Sequence, residues 1–483
     1  MRAKIPAALL ASAVAVMALA APAGAVVTST PAGRVGYLPV NEGIAAHAAA
    51  PKGATVPTGE PPLEYHGGPV MHSQTAYAIF WAPSGYSFPS GYRAAIESYL
   101  QNVAADSGKP GNVYSVSAQY EDGTGRASYN DSYGGSFADT TAYPTTGTCA
   151  PYEGFTGIEY TACVSDAKLE AEVKADVSAK GWPTGLGAEY YVVLPPEVGS
   201  CFEGIEPICF DAENAEEEGF CAYHSFTGSP HEIYANISYS PGDVFGCGVG
   251  EYPNGHSNGN VDDTLSSLSH EANESITDPL LNAWFDEIGF EDGDECRNSS
   301  DDFGPALGGP AGALFNQSID GAHYYLQQEW SNDIEDCAQR VEAAIPVIAN
   351  PGSPAPGSSA LFDGSGSISG IAGIESYAWD FGDGGAASGP TASHTYASPG
   401  AYTVTLTLED GYGLSSSASR QVTVAIPSSG GGGAVTTTTT TTTSTAGPQP
   451  HAGVKCRKGF RKVRKHGKAV CVKVKRKHHH RRG

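Results

Sequence analysis

The 483 residues carry a formal net charge of −25, with 40% hydrophobic and 16% charged residues. Beyond the first 25 residues no stretch reaches the roughly 18 apolar residues a spanning helix needs, and no Cys-x-x-Cys occurs. These absences disfavour a transmembrane protein and a structural zinc ribbon. Of the 27 Lys/Arg, 14 lie between Lys455 and Arg482 with no acid among them, leaving 13 against 52 Asp/Glu elsewhere. Residues 181–296 hold 23 Asp/Glu and no Lys or Arg. Such acidity either keeps an exported chain soluble or gathers around bound cations, whose hard-ion ligands are carboxylates and carbonyls.

Arg2 and Lys4 precede an apolar run from Ala7 to Ala21, and Ala23-Gly24-Ala25 offers a small-residue cleavage site. Residues 1–25 therefore read as a secretory signal. The ten cysteines of an exported chain then read as disulfides. Residues 26–62 are rich in Ala, Pro and Gly without periodicity and read as a linker or pro-segment. Ala76–Trp81 is a short apolar run, the pattern of a buried strand. A helix is predicted around Ala94, Ile96, Tyr99, Leu100 and Val103, stopped by Gly108. NVYSVSAQY alternates and predicts a strand. DAKLEAEVKADVSAKGW predicts a helix ending at Gly181, and AEYYVVLPP a buried strand. Helices alternating with strands, joined by cysteine-bearing loops, predict one α/β or α+β domain over residues 63–344.

Residues 345–427 lack cysteine and are rich in Ser, Gly and Thr. Tyr402, Val404, Leu406 and Leu408 alternate with threonines, as in a half-buried strand, and Asp383-Gly384 is turn chemistry. With Trp379-Asp380-Phe381-Gly382-Asp383-Gly384 and His394-Thr395-Tyr396, the segment resembles the PKD repeat, an all-β sandwich of secreted proteins. That resemblance implies a spacer, or a module that binds protein or carbohydrate. Residues 428–450 are a Gly then Thr run expected to be a disordered linker. Residues 451–483 form a basic tail with Cys456 and Cys471. The expected partner of this tail is an anionic polymer of the cell envelope rather than nucleic acid, and the expected location is extracellular or wall-associated.

The chemistry concentrates in SLSHEANESITDP. Asp262–Thr277 predicts a helix with Leu265, Leu268, Ala272 and Ile276 as its apolar stripe and Asp263, His270 and Glu274 on the other side. His270 and Glu274 are one turn apart and can reach one ion. A catalytic zinc takes three protein ligands and keeps an open position, and Glu271 is then the candidate catalytic base. The alternative is an acidic helix face in water. The stretch resembles thermolysin-like zinc peptidases, which continue H-E-x-x-H with a Thr-Asp pair, here Thr277 and Asp278. Their third, acidic ligand comes about two dozen residues later, where Asp294 and Glu291 lie. Glu274 in place of the second histidine weakens zinc preference and keeps calcium open. His224, His231 and His256 lie in Gly/Ser-rich loops; any could complete the set, and each reads first as an ordinary loop residue.

A resemblance of wider extent covers residues 65–340. Tyr65–Val70, His270, Glu271, Glu274, Thr277, Asp278, Pro279, Asn282, Ala283, Trp284, Glu291, Asp294, Cys296, Phe315, Asn316, Gly321, Trp330 and Cys337 are similar to motifs of the EXORDIUM, or phosphate-induced protein, family. The resemblance implies a secreted, wall-associated protein and supports the histidine–carboxylate cluster. It also implies a Cys296–Cys337 disulfide, because each cysteine ends a family-like motif. Two functions follow as expectations: a zinc-dependent hydrolase or metallopeptidase with ligands His270, Glu274 and Asp294, base Glu271, and Glu291 or Asp278 in support; or a non-catalytic adhesive protein whose cluster holds a structural cation.

Overall fold

A computed structural model describes residues 28–30, 33–39, 62–154, 156–202, 208–211, 219–240, 247–287, 289–297, 303–427, 460–465 and 468–473. The main elements of the first region are β1 (Thr28–Thr30), β2 (Gly33–Pro39), β3 (Gln74–Trp81), α1 (Tyr92–Ala105), α2 (Tyr114–Ser117), β4 (Asp131–Asp139) and α3 (Asp166–Lys180). They continue with β5 (Ala188–Val193), β6 (Phe220–Phe226), β7 (Ile233–Ile237), α4 (Val261–Thr277) and α5 (Asp294–Arg297).

Seven strands form one mixed sheet in the order β1-β2-β6-β7-β5-β3-β4. β7, β5, β3 and β4 are mutually parallel, while β2, β6 and β7 pair antiparallel. A parallel sheet must be covered on both faces, and the alternation of β3 provides for it. Ala76, Ala78 and Phe80 pack with the buried sides of α1 and α4, whereas Tyr77, Ile79 and Trp81 pack with Leu169, Val173 and Val177 of α3. The architecture is a three-layer α/β sandwich. Gly181 ends α3 in the left-handed conformation (φ 64°), which glycine adopts without a Cβ penalty.

Three sequence expectations are corrected. NVYSVSAQY contains the short helix α2 rather than a strand. Residues 113–118 are all buried, so the apolar alternation marks no face, and the Asn112 side chain accepts the Tyr114 N–H (3.1 Å) as a helical start. Residues 26–62 are not all linker: β2 pairs with β6 and extends the main sheet. Its pairing is long-range, and two β-prone residues, Val35 and Tyr37, among two glycines and a proline are too few to announce it. The acidic side of α4 does not face water, because every residue from Val261 to Thr277 is buried.

Among the described residues, four disulfides join Cys149–Cys163, Cys201–Cys209, Cys221–Cys247 and Cys296–Cys337. The last is the pairing implied by the family resemblance.

The second region is a β-sandwich of β8 (Ser359–Asp363), β9 (Ser376–Asp380), β10 (Ala386–Ser388), β11 (Thr391–Thr395), β12 (Gly400–Glu409) and β13 (Ser415–Val424). Val404, Leu406 and Leu408 enter its core with Trp379 and Phe381, while Thr405 and Thr407 bond to serines of β13 on the other face. It is not a free spacer. Tyr412 and Leu414, in the β12–β13 turn, belong to the core of the first region, and the Ser415 N–H donates to the Gly108 carbonyl (2.7 Å).

In the basic tail, β14 (Phe460–Lys465) and β15 (Lys468–Lys473) pair as an antiparallel ribbon. The signal segment, the Gly/Thr linker and Cys456 lie outside the described residues.

Candidate metal centre

α4 lies against the sheet face that β6 presents. Asp262 and Asp263 stand in its first turn, where carboxylates favour the helix dipole. Asp262 also accepts from the Asn254 side chain (2.7 Å) and Asp263 from the Val249 N–H (2.7 Å). After Thr277 the chain turns at Asp278, whose Oδ1 accepts the N–H groups of Asn282 (2.5 Å) and Ala283 (2.6 Å). Asp278 thus builds the turn that sends the chain toward the segment carrying Glu291 and Asp294.

Two histidines and four carboxylates meet between α4, β6 and that segment. His270 Nε2 lies 2.9 Å from Glu274 Oε1 and 3.3 Å from Asp294 Oδ1. Two ligand atoms on a tetrahedral ion with bonds of 2.0–2.1 Å stand about 3.3 Å apart, so these three atoms fit one ion. On the other side of Glu274, His224 Nδ1 lies 3.2 Å from Glu271 Oε2 and 3.5 Å from Glu274 Oε2, and His224 Nε2 lies 3.6 Å from Glu291 Oε1. The six side chains are essentially inaccessible to solvent.

The donor set fits a cation by more than spacing. His270 Nε2, Asp294 Oδ1, both Glu274 oxygens, His224 Nε2, Glu271 Oε1 and both Glu291 oxygens have no hydrogen bond within the protein. Among the described residues no Lys or Arg forms an ion pair with the cluster. Buried carboxylates without a counter-charge cost several kcal/mol each, and native proteins avoid this by pairing, protonation or a metal. In the ion-free geometry, burial and then Glu274, Asp278 and Asp294 push Glu291 well above the usual carboxylate range. Burial and then Glu274 do the same to Asp294. Burial lifts Glu271 to about 7 against the opposing hydrogen bond of His224. Burial would also raise Glu274, but His270 and His224 outweigh it and hold that carboxyl low.

The neighbouring residues hold the cluster in place. Gln327 places its side-chain nitrogen 3.2 Å from His270 Nδ1 and bonds the Gly293 carbonyl (2.5 Å), fixing the ring with Nε2 turned inward. A Cβ at Gly293 would stand 2.4 Å from His270 Nδ1 and 3.0 Å from Glu274 Oε1, so only glycine allows this approach. Asp292 receives Ser117 Oγ (3.1 Å) and Thr277 Oγ1 (3.2 Å), tying α2 to the end of α4. In the second strand of the sheet, Gly36 of β2 backs the cluster, since a Cβ there would meet Glu291 Oε2 at 2.3 Å and His224 Cε1 at 2.7 Å.

His270, Glu274 and Asp294 are therefore brought together as expected, and Glu271 lies beside them. Glu291 sits with His224 rather than with His270. His224 is not a loop residue; it belongs to β6, two positions from Ala222 on the same face. FCAYHSF is buried along almost its whole length, so no alternation marks the histidine. His231 and His256 stay outside, on the Thr227 carbonyl (3.0 Å) and the Asn260 side chain (2.9 Å).

A family model described as the PKD domain matches residues 343–426. The second region is a PKD domain. Among solved structures, the chain is similar to one described as carbohydrate-binding modules from the beta-sandwich super family, at 32% identity over 18% of this chain and 36% of that chain, with a TM-score of 0.18. It therefore spans about a third of that relative. It is also similar to the PKD1 domain of Vibrio anguillarum Epp (28% identity, 18% of this chain, 100% of that chain, TM-score 0.17). The PKD1 domain from Vibrio cholerae metalloprotease PrtV is similar at 27% identity (17% of this chain, 96% of that chain, TM-score 0.15). No curated protein matches. The PKD domain and the disulfides fit an extracellular protein. Among the described residues no helix is long and apolar enough to cross a membrane.

Proposed function

We propose that this is an exported, EXORDIUM-like protein whose first domain holds a divalent cation on His270, Glu274 and Asp294 and uses it for hydrolysis of a peptide or related bond. The observation that carries the reading is the set of buried, unbonded donor atoms converging on the His270–Glu274–Asp294 gap. Zinc fits the histidine nitrogen and the tetrahedral spacing, whereas calcium fits the carboxylates alone. A zinc ion there would supply Lewis acidity toward a carbonyl oxygen and toward water.

Glu271 is the proton acceptor. Its Oε1 has no partner, and Oε2 is held 3.2 Å from His224, which orients the carboxylate. Burial raises the Glu271 carboxyl, which favours its taking a proton from water and returning it to a leaving nitrogen. Asp294 and Glu291 balance charge around the reacting region. The PKD domain supplies a protein- or carbohydrate-binding surface, and residues 451–483 hold an anionic envelope polymer.

The absence of solvent exposure at all six donors favours a second reading, in which the cation is structural. One experiment separates the two: a peptide library is incubated with wild type and Glu271→Gln, and bound metal is measured in both. The hydrolase reading expects one zinc per chain in each protein and cleavage lowered at least 100-fold in the variant. Equal cleavage, or none by either zinc-loaded protein, leaves the structural reading.

A further inference from the structure

A different group of carboxylates stands on the sheet face opposite α4. Asp139 closes β4, the edge strand, and Glu172 and Asp176 are one turn apart on α3. Their oxygens lie within 4.8 Å of one another. Asp139 is 2% and Asp176 6% exposed, and in each the Oδ2 atom has no hydrogen bond. Asp139 Oδ1 accepts the Thr141 N–H at 2.8 Å, which fixes the carboxylate and leaves Oδ2 unbonded.

Among the described residues no ion pair involves any of the three. Lys180 lowers Asp176 through space, but its ammonium stands over the Phe137 ring, 3.3 Å from the centroid. Burial, then Asp139 and Asp176, raise Glu172 to about 7; burial, then Asp139, raise Asp176 to about 6. At neutral pH the group is therefore self-repelling unless a positive charge joins it.

We propose that Asp139, Glu172 and Asp176 bind a calcium ion that clamps the edge strand β4 to α3. The donors are all oxygen, with no nitrogen or sulfur to draw zinc or copper. Glu172 is only half-buried, so water can complete the six to eight oxygens that calcium takes in flexible geometry, whereas magnesium demands a near-ideal octahedron. Sites of this kind in extracellular modules bind at about 10⁻⁴–10⁻³ M. The proposal does not rest on the α4 centre, because no residue is shared.

The test is calcium titration of the full chain, followed by thermal melting and calorimetry, for wild type, Asp139→Asn, Asp176→Asn, Glu172→Gln and Glu274→Gln. Wild type and Glu274→Gln should gain about 2–4 °C at 5 mM calcium by mass action. The Asp139→Asn and Asp176→Asn variants should melt at or above the calcium-free wild type and show no calcium response. The partly exposed Glu172→Gln, which perturbs packing least, should show a weakened one. A wild type that ignores calcium overturns the proposal. So does a shift that survives both aspartate variants, or one lost only in Glu274→Gln, which would place the ion at the α4 centre.

Discussion

Two histidine–carboxylate pairs in this protein have the same separation and opposite surroundings. In the PKD domain, His394 Nε2 lies 2.9 Å from Asp383 Oδ2; in the first domain, His270 Nε2 lies 2.9 Å from Glu274 Oε1. The first pair is about one-fifth exposed, Asp383 Oδ1 accepts the Gly385 N–H (3.0 Å), and His394 stacks on Phe381 at 4.2 Å. His394 lowers the Asp383 carboxyl, and nothing else is required. The second pair is shielded from water, with further carboxylates at its back and unbonded atoms facing inward. Separation alone does not distinguish a local turn contact from an ion site. What distinguishes them is whether the remaining lone pairs are satisfied.

The contrast can be broken most decisively by testing for the proposed cation. Stripping the protein with a chelator at neutral pH should lower the calorimetric midpoint by roughly 10 °C, because a ligand at about 1,000 times its Kd contributes about 4 kcal/mol. Restoring zinc should recover the midpoint. A chelated protein that melts unchanged would show that protons alone neutralise the cluster.

Side-chain replacement should follow the same division. Glu274→Gln removes the carboxylate shared by both histidines and should reduce bound zinc below about 0.1 per chain by elemental analysis. Asp383→Asn should leave metal content intact and shift stability by no more than about 1 kcal/mol in denaturant melts, as for exposed pairs.

The smallest effect concerns burial without a cation. Asp131 on β4 is 7% exposed, neither of its oxygens is hydrogen-bonded, and burial followed by Glu189 raises its carboxyl well above the ordinary range. The folded protein therefore binds a proton that the unfolded chain releases near pH 4. That contribution is complete below pH 4 and is lost as pH rises toward the folded value. Asp131→Asn should accordingly stabilise by about 1–2 kcal/mol at pH 8 and by almost nothing at pH 4, measured by urea melts at both.

The sequence made part of this legible. α4, β3, α3 and β5 follow from periodicity, since each presents a clear face or a continuous apolar run. His270 and Glu274 follow from one turn of helix. His224 does not, because its place depends on β6 lying under α4, and a strand–helix contact across 47 residues leaves no local pattern. The same reason hid β2, whose Gly36 fits the cluster only once β2 has joined β6. In α2 the failure was one of period: residues buried on all sides mimic alternation.

The docked turn of the PKD domain gives the protein a mechanical continuity. A load applied beyond residue 426 passes along the backbone of β13 to a turn whose Tyr412 and Leu414 are seated in the core of the first domain. Tension thus reaches the sheet next to Gly108, at the end of α1, without the β-sandwich first having to come apart. A pull on the chain beyond residue 426 would be felt directly by the domain that carries the histidine–carboxylate cluster.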